Sequence, residues 1–131
     1  MRIVVFTGSR GWQDGSSVFD AMEGLKRPFI VVVGDAKGYD QIVWEQAGLL
    51  RLPRLRFKAK WHDNPEIRVG YDRFAGHKRN RRMLKWAKAR DSECFVMAGW
   101  DGTSTGTKGC MDDAERLGMS IWRINSMTRR N

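Results

Sequence analysis

The chain has 131 residues, 41% of them apolar and 30% charged, which is a globular composition and the length of one domain. Its 24 Lys and Arg against 15 Asp and Glu give a formal charge of +9, a surplus that favours polyanionic partners. No apolar run approaches the roughly 20 residues of a membrane span. The start, one Arg and then Ile3 to Phe6, is too short for a secretory leader. The expectation is a cytoplasmic protein with no membrane contact. Two cysteines and two histidines exclude a disulfide framework and offer no metal-ligand spacing, so no metal and no cofactor are expected.

Ile3 to Phe6 is a short β-branched and aromatic run bounded by turn residues, a buried strand. Val18, Met22 and Leu25 have helical spacing and predict a helix over 14–25, capped by Asp14 or Ser16. Phe29 to Val33 is a second buried strand. Ile42, Val43, Ala47 and Leu50 predict a helix over 39–50, which Pro53 ends. Leu55 to Ala59 alternates apolar and basic residues, as an edge strand does. A loop with Pro65 and Gly70 spans 61–71. A strongly basic helix is predicted over 73–89, a strand over 93–98, a helix over 107–117 and a last strand over 120–124. The tail, 126–131, is polar.

Strands that alternate with helices build a parallel sheet covered on both faces. The expected fold is therefore α/β, a single Rossmann-like three-layer αβα domain over 1–125 with about five mostly parallel strands. Ligands in such folds bind outside the carboxyl ends of the strands. Three glycine-bearing loops follow strands and should open on one shared edge.

The first loop is Thr7-Gly8-Ser9-Arg10, where Gly8, Ser9 and Arg10 supply backbone N–H groups, a hydroxyl and a guanidinium suited to phosphate. The second is Gly34-Asp35-Ala36-Lys37-Gly38-Tyr39-Asp40. Its candidates are Gly34, Lys37, Gly38 and Asp40, and Asp40 suits either a helix cap or a ribose hydroxyl. Asp35 is out of character beside a phosphate, because like charges repel. The third is Gly99 to Thr107, a strand ending in glycines and hydroxyls before a helix. Gly102, Ser104, Thr105, Gly106 and Thr107 are its candidates, since free N–H groups at a helix start attract anions. Ala75-Gly76-His77-Lys78-Arg79-Asn80 opens the basic helix, and Arg79 and Asn80 enter the pocket if that helix begins at the same edge. Trp12, Trp61 or Trp100 could stack on a base. Cys94 reads as a small buried hydrophobe and Cys110 as a packed thiol near a helix start.

Basic residues cluster at Arg51, Arg54, Arg56, Lys58 and Lys60, and again at Lys78, Arg79, Arg81, Arg82, Lys85, Lys88 and Arg90. A solvated basic face and a nucleic-acid contact are equally good readings of these clusters.

Five motifs in order, Thr7-Gly8-Ser9-Arg10, Gly34 to Asp40, Ala59-Lys60-Trp61, Ala75 to Asn80 and Gly102 to Thr107, resemble the SLOG superfamily. That superfamily groups the cytokinin-activating LOG phosphoribohydrolases with the DNA-processing protein DprA. The nearest resemblance is to its YspA-like branch of small single-domain proteins, and it runs from Arg2 to about Asn125. It implies a nucleotide or ADP-ribose-like ligand, with Arg10 and Arg79 on phosphate and Asp40 on ribose. An N-glycosidic phosphoribohydrolase is the alternative, and Arg79 is then the catalytic position that carries over from the LOG pattern. The Glu that follows the phosphate loop in LOG enzymes has no counterpart after Thr107. Asp40, Asp91 and Asp112 are the alternative acids for that role. A DprA-like single-stranded DNA binder is the third implication. Related folds often dimerise through the helical layer, which makes a homo-oligomer plausible, and small stand-alone members occur in bacteria and their phages.

Overall fold

A computed structural model describes residues 1–62 and 70–125. The tail at 126–131 and the Pro65 part of the predicted loop lie outside the described residues. In chain order the elements are β1 (Arg2–Gly8), α1 (Gly15–Glu23), β2 (Phe29–Val33), α2 (Tyr39–Leu49), β3 (Arg54–Arg56), α3 (Ala75–Arg90), β4 (Phe95–Gly99), α4 (Thr105–Arg116) and β5 (Ser120–Arg123). The five strands form one parallel sheet in the order β3-β2-β1-β4-β5. The expected α/β, Rossmann-like three-layer fold is what the chain adopts.

Side chains alternate across a strand, and that alternation sorts β1 into two cores. Val4 and Phe6 face α1 and α2, where Val18, Met22, Val43 and Ala47 meet them. Ile3 and Val5 face α3 and α4, where Met83, Leu84, Cys110 and Ala114 meet them. Each fully buried apolar side chain of this size contributes roughly 1.5–3 kcal/mol. The sheet is thereby fixed from both sides.

Tyr39 ties the centre together. Its ring lies against Gly8 and Gly99, which are cross-strand partners, and its hydroxyl donates to the Met97 carbonyl at 3.0 Å. A Cβ on either glycine would overlap the ring. Glycine at Gly8 is therefore required by packing as well as by any approach of a ligand.

Several boundaries differ from expectation, each for a local reason. Asp14, not Ser16, caps α1, its side chain accepting from the Ser17 N–H at 3.1 Å. β3 stops at Arg56 because its partner β2 ends at Val33, whose carbonyl takes the Phe57 N–H at 2.8 Å, and beyond it the Asp35 carboxylate takes the Ala59 N–H at 3.2 Å. α4 begins at Thr105, so the end of the third loop is already its first turn. Cys94 lies one residue before β4 and is buried.

The chain steps outward from β1 to β2 and β3, then crosses back through α3 to β4 on the other side of β1. The strand order reverses between β1 and β4, and a crevice opens there at the carboxyl edge.

Candidate functional site

That crevice is a cleft of about 390 Å³ lined by Thr7, Gly8, Arg10, Ala36, Asp40, Trp61, Arg73, Gly76, His77, Arg79, Asn80, Met83 and Ser104 to Thr107. All three strand-end loops and the start of α3 reach it. Nine of the expected residues therefore come together: Gly8, Arg10, Asp40, Arg79, Asn80, Ser104, Thr105, Gly106 and Thr107. Five do not line it. Ser9 is buried beneath it, its hydroxyl accepting from the Asp101 N–H at 3.0 Å and its carbonyl from Tyr39 and Trp12. Gly34 supports the wall. Lys37 points to solvent. Gly38 turns the chain at φ 72° against the Arg10 backbone, and Gly102 turns it at φ 90° before α4. These five shape the loops rather than face the cavity.

Arg79 is the best-fixed cation. It is 5% exposed, although it sits in a run of basic residues that reads as a solvated face. Its Nη1 donates to Asp35 Oδ1 at 2.6 Å and its Nε to Asn80 Oδ1 at 2.7 Å. The acid that looked out of place in a phosphate loop is thus the partner that orients this guanidinium. A Cβ at Gly34 would stand 2.7 Å from the Arg79 guanidinium carbon and 2.8 Å from Asp40 Oδ2. Only glycine leaves both groups where they are.

Asp40 is not a helix cap. Gly38 holds the N-cap position of α2 with no side-chain cap, and Asp40 folds back so that Oδ2 accepts from the Ala36 N–H at 3.0 Å. Burial pushes its carboxyl up to about 6, against the lowering effect of the Arg79 charge. Asp40 alone among the described acids lines the cleft. The other two acids considered do not reach it. Asp91 sits at the opposite edge, its carboxylate accepting from the Ile3 N–H at 2.9 Å. Asp112 lies on α4 and pairs with Lys108 at 2.7 Å.

Opposite Arg79, the first turn of α4 presents its N–H groups. Its N-cap Ser104 makes no side-chain cap bond. The Ser104 and Thr107 hydroxyls lie 3.2 Å apart. The preceding loop is self-braced, since Asp101 Oδ1 accepts from the N–H groups of Thr103 at 2.9 Å and Ser104 at 2.8 Å. Those bonds hold the Asp101 carboxyl below the usual range.

Of the three tryptophans considered, Trp61 alone lines the cleft. Its ring stacks on Tyr71, with centroids 5.9 Å apart and planes at 16°, and the Arg10 guanidinium lies 6.0 Å from its centroid. Trp12 is core and meets Tyr39 edge-on. Trp100 braces the third loop through a 3.0 Å bond to the Ser104 carbonyl. Arg73 and His77 line the cleft without having been singled out as contacts, because no local pattern says which way α3 enters. Cys110 is buried with its thiol pushed up to about 12, so it is chemically quiet.

Neither Arg10 nor Arg73 forms an ion pair with a described residue, whereas Arg79 does. Among the described residues the cleft therefore holds two guanidiniums without an ion-pair partner, a helix N-terminus and one carboxylate.

The fold and this cleft define the class: a doubly wound, Rossmann-like α/β domain with a donor-rich crevice at its switch point. Over 132 aligned residues the chain is 34% identical to the Gene 61 protein of Mycobacterium phage D29, covering 92% of this chain and 94% of that protein. The chain belongs to the family of that phage protein. No family model matches the sequence. No described helix is long and apolar enough to cross a membrane.

Proposed function

We propose that the protein binds a nucleotide or a nucleotide derivative such as an ADP-ribose-like molecule. The observation that carries this reading is one cleft in which cations and an open helix N-terminus face a carboxylate and an aromatic ring. Phosphate fits the α4 N-terminus with Arg10, Arg73 and Arg79 around it. A ribose hydroxyl fits Asp40, whose Oδ1 accepts no hydrogen bond from the described residues. A base fits the Trp61 ring. The SLOG-like motif order supports the same assignment, since the residues that carry it gather around this cavity.

A second reading is hydrolysis of the N-glycosidic bond, and Asp40 is what favours it. An acid held near pKa 6 beside a fixed guanidinium has the character of a group that moves a proton at neutral pH. Asp40 would activate water at its free oxygen, and Arg79 would hold the phosphate side of the substrate.

One experiment separates the two. The protein is incubated with a panel of nucleoside monophosphates, ADP-ribose and cyclic ADP-ribose, freed of unbound ligand, denatured, and the released molecules are weighed by mass spectrometry. Intact nucleotide from the wild type, lost in Arg79→Ala and Thr107→Val, is the expected result. Free base with ribose phosphate moves the reading to the hydrolase. No nucleotide retained or altered overturns both.

A further inference from the structure

Two basic clusters far apart in sequence meet on one flank of the cleft. The segment after β3 runs along α3. Arg82 Nη2 donates to the Lys58 carbonyl at 2.9 Å, Arg79 Nη1 reaches the Phe57 carbonyl at 3.5 Å, and the Phe57 and Trp86 rings meet edge-on at 5.7 Å. The contacts put Arg79 at the cleft and Arg82 one turn outside it, with Lys85 further along the same exposed stripe. From Arg79 to Lys85 the helix advances about 9 Å. Beside that stripe lie Lys58 and Lys60, and Lys60 adjoins Trp61 at the cleft lip.

Lys58, Lys60, Arg82 and Lys85 are exposed, and none forms an ion pair with a described residue. Two other cations of the same helix are paired with carboxylates, whereas Lys88 and Arg90 bond backbone carbonyls. Lys78 pairs with Asp72 at 2.9 Å and Arg81 with Asp113 at 3.6 Å. Asp35, the acid that contacts this segment through Ala59, is taken up by Arg79 and the Ala59 N–H. A row of four cations without an ion pair among the described residues thus leads out of a cleft that itself suits one nucleotide.

Resting on the nucleotide reading of the cleft, we propose that its ligand is the terminal nucleotide of a 5′-phosphorylated single-stranded RNA. The terminal phosphate sits at the α4 N-terminus, so the strand leaves through its 3′ oxygen. The next phosphates, about two or three at strand spacing, lie on Lys60, Lys58, Arg82 and Lys85. A single strand is required because the terminal base must be unpaired to lie on Trp61 and Arg10. RNA is required because, within a chain, the 2′-hydroxyl is the ribose hydroxyl left for Asp40, and DNA lacks it.

The test is a set of titrations of the whole protein at about 0.1 M salt. The probes are a nucleoside 5′-monophosphate, a 5′-phosphorylated RNA tetranucleotide with the same first residue, its DNA counterpart, the unphosphorylated RNA, and a blunt RNA duplex. The phosphorylated RNA is expected to bind at least tenfold tighter than the mononucleotide. Its affinity should fall with salt with a logarithmic slope near −3, from about 0.7 per phosphate contact. Arg82→Gln with Lys85→Gln should erase most of that gain and reduce the slope by about 1.4, leaving mononucleotide affinity unchanged. Lys58→Gln with Lys60→Gln should do the same from the other side of the track. Equal affinity for mononucleotide and tetranucleotide overturns the inference and leaves the cleft reading intact. Equal binding of the DNA, the unphosphorylated strand or the duplex also overturns it. Tetranucleotide binding that persists in Arg79→Ala, with no mononucleotide binding in the wild type, removes the cleft reading and the inference together.

Discussion

Two helices, α1 and α4, start at the same edge of the sheet and treat their first N–H groups differently. α1 is closed by its own sequence. Asp14 is buried, accepts from the Ser17 N–H, and takes the Ser16 hydroxyl at 2.7 Å. α4 has Ser104 at the same position with no side-chain cap bond, and the acid ahead of it, Asp101, is spent on the loop. The first start is a structural joint, satisfied from within. The second is left open toward a cleft that also holds Arg10 and Arg73, neither of them ion-paired with a described residue. The carboxyl edge is therefore divided by chemistry, and the ligand we propose belongs to the open half.

Variants can break that comparison. Arg79→Ala should have the largest effect, because Arg79 is both a buried structural partner and a cleft cation. It removes the partner of Asp35 and empties the cleft of its fixed cation. A loss of about 2–3 kcal/mol in denaturant unfolding should accompany a loss of nucleotide affinity of about a hundredfold. Arg10→Ala, by contrast, should leave stability within about 0.5 kcal/mol and still weaken binding. Equal destabilisation by both would erase the distinction between a built cation and an open one.

Gly34→Ala comes next. Its Cβ must displace either the guanidinium or the carboxylate, so about 1–3 kcal/mol of stability and most of the affinity should be lost together. Retained binding with normal stability would show that Arg79 and Asp40 are not held as a pair.

Asp40→Asn sharpens the electrostatic side. The folded-state carboxyl titrates near 6 and the unfolded one near 3.8. As pH rises from about 4, the unfolded chain releases this proton first, and wild-type stability declines until the pH passes about 6. The Asn variant lacks this decline. Its advantage over the wild type should grow from near zero at pH 4 to about 2–3 kcal/mol at pH 8. A constant difference across that range would mean that Asp40 is not a buried ionisable group.

The smallest effects test the two helix starts directly. Asp14→Ala should cost about 1 kcal/mol and leave binding alone. Thr107→Val should cost less than about 1 kcal/mol and weaken binding about tenfold. Reversal of this pattern would place the ligand at α1.

The order of elements and the shared edge of the three loops were legible because both follow from local patterns. Ile3 to Phe6 and Phe29 to Val33 alternate or run apolar, and Gly8, Gly34 and Gly102 end strands or loops by composition. Asp35 was not legible. Its partner lies 44 residues away, and a carboxylate in a phosphate loop looks wrong until Arg79 is placed against it. Arg73 and His77 were missed because helical periodicity says where α3 runs but not which end of it enters the crevice. Nor could sequence choose among Asp40, Asp91 and Asp112. Only the topology puts Asp91 at the far edge and Asp112 on the outside of α4.

The most direct measurement is an amide NMR titration of the whole protein with nucleoside 5′-monophosphates. The expected result is saturable shifts at Gly8, Arg10, Gly106 and Thr107, with Asp14 to Ser17 unmoved. Shifts centred on the α1 start, or none at the α4 start at saturating ligand, would contradict the assignment of the cleft.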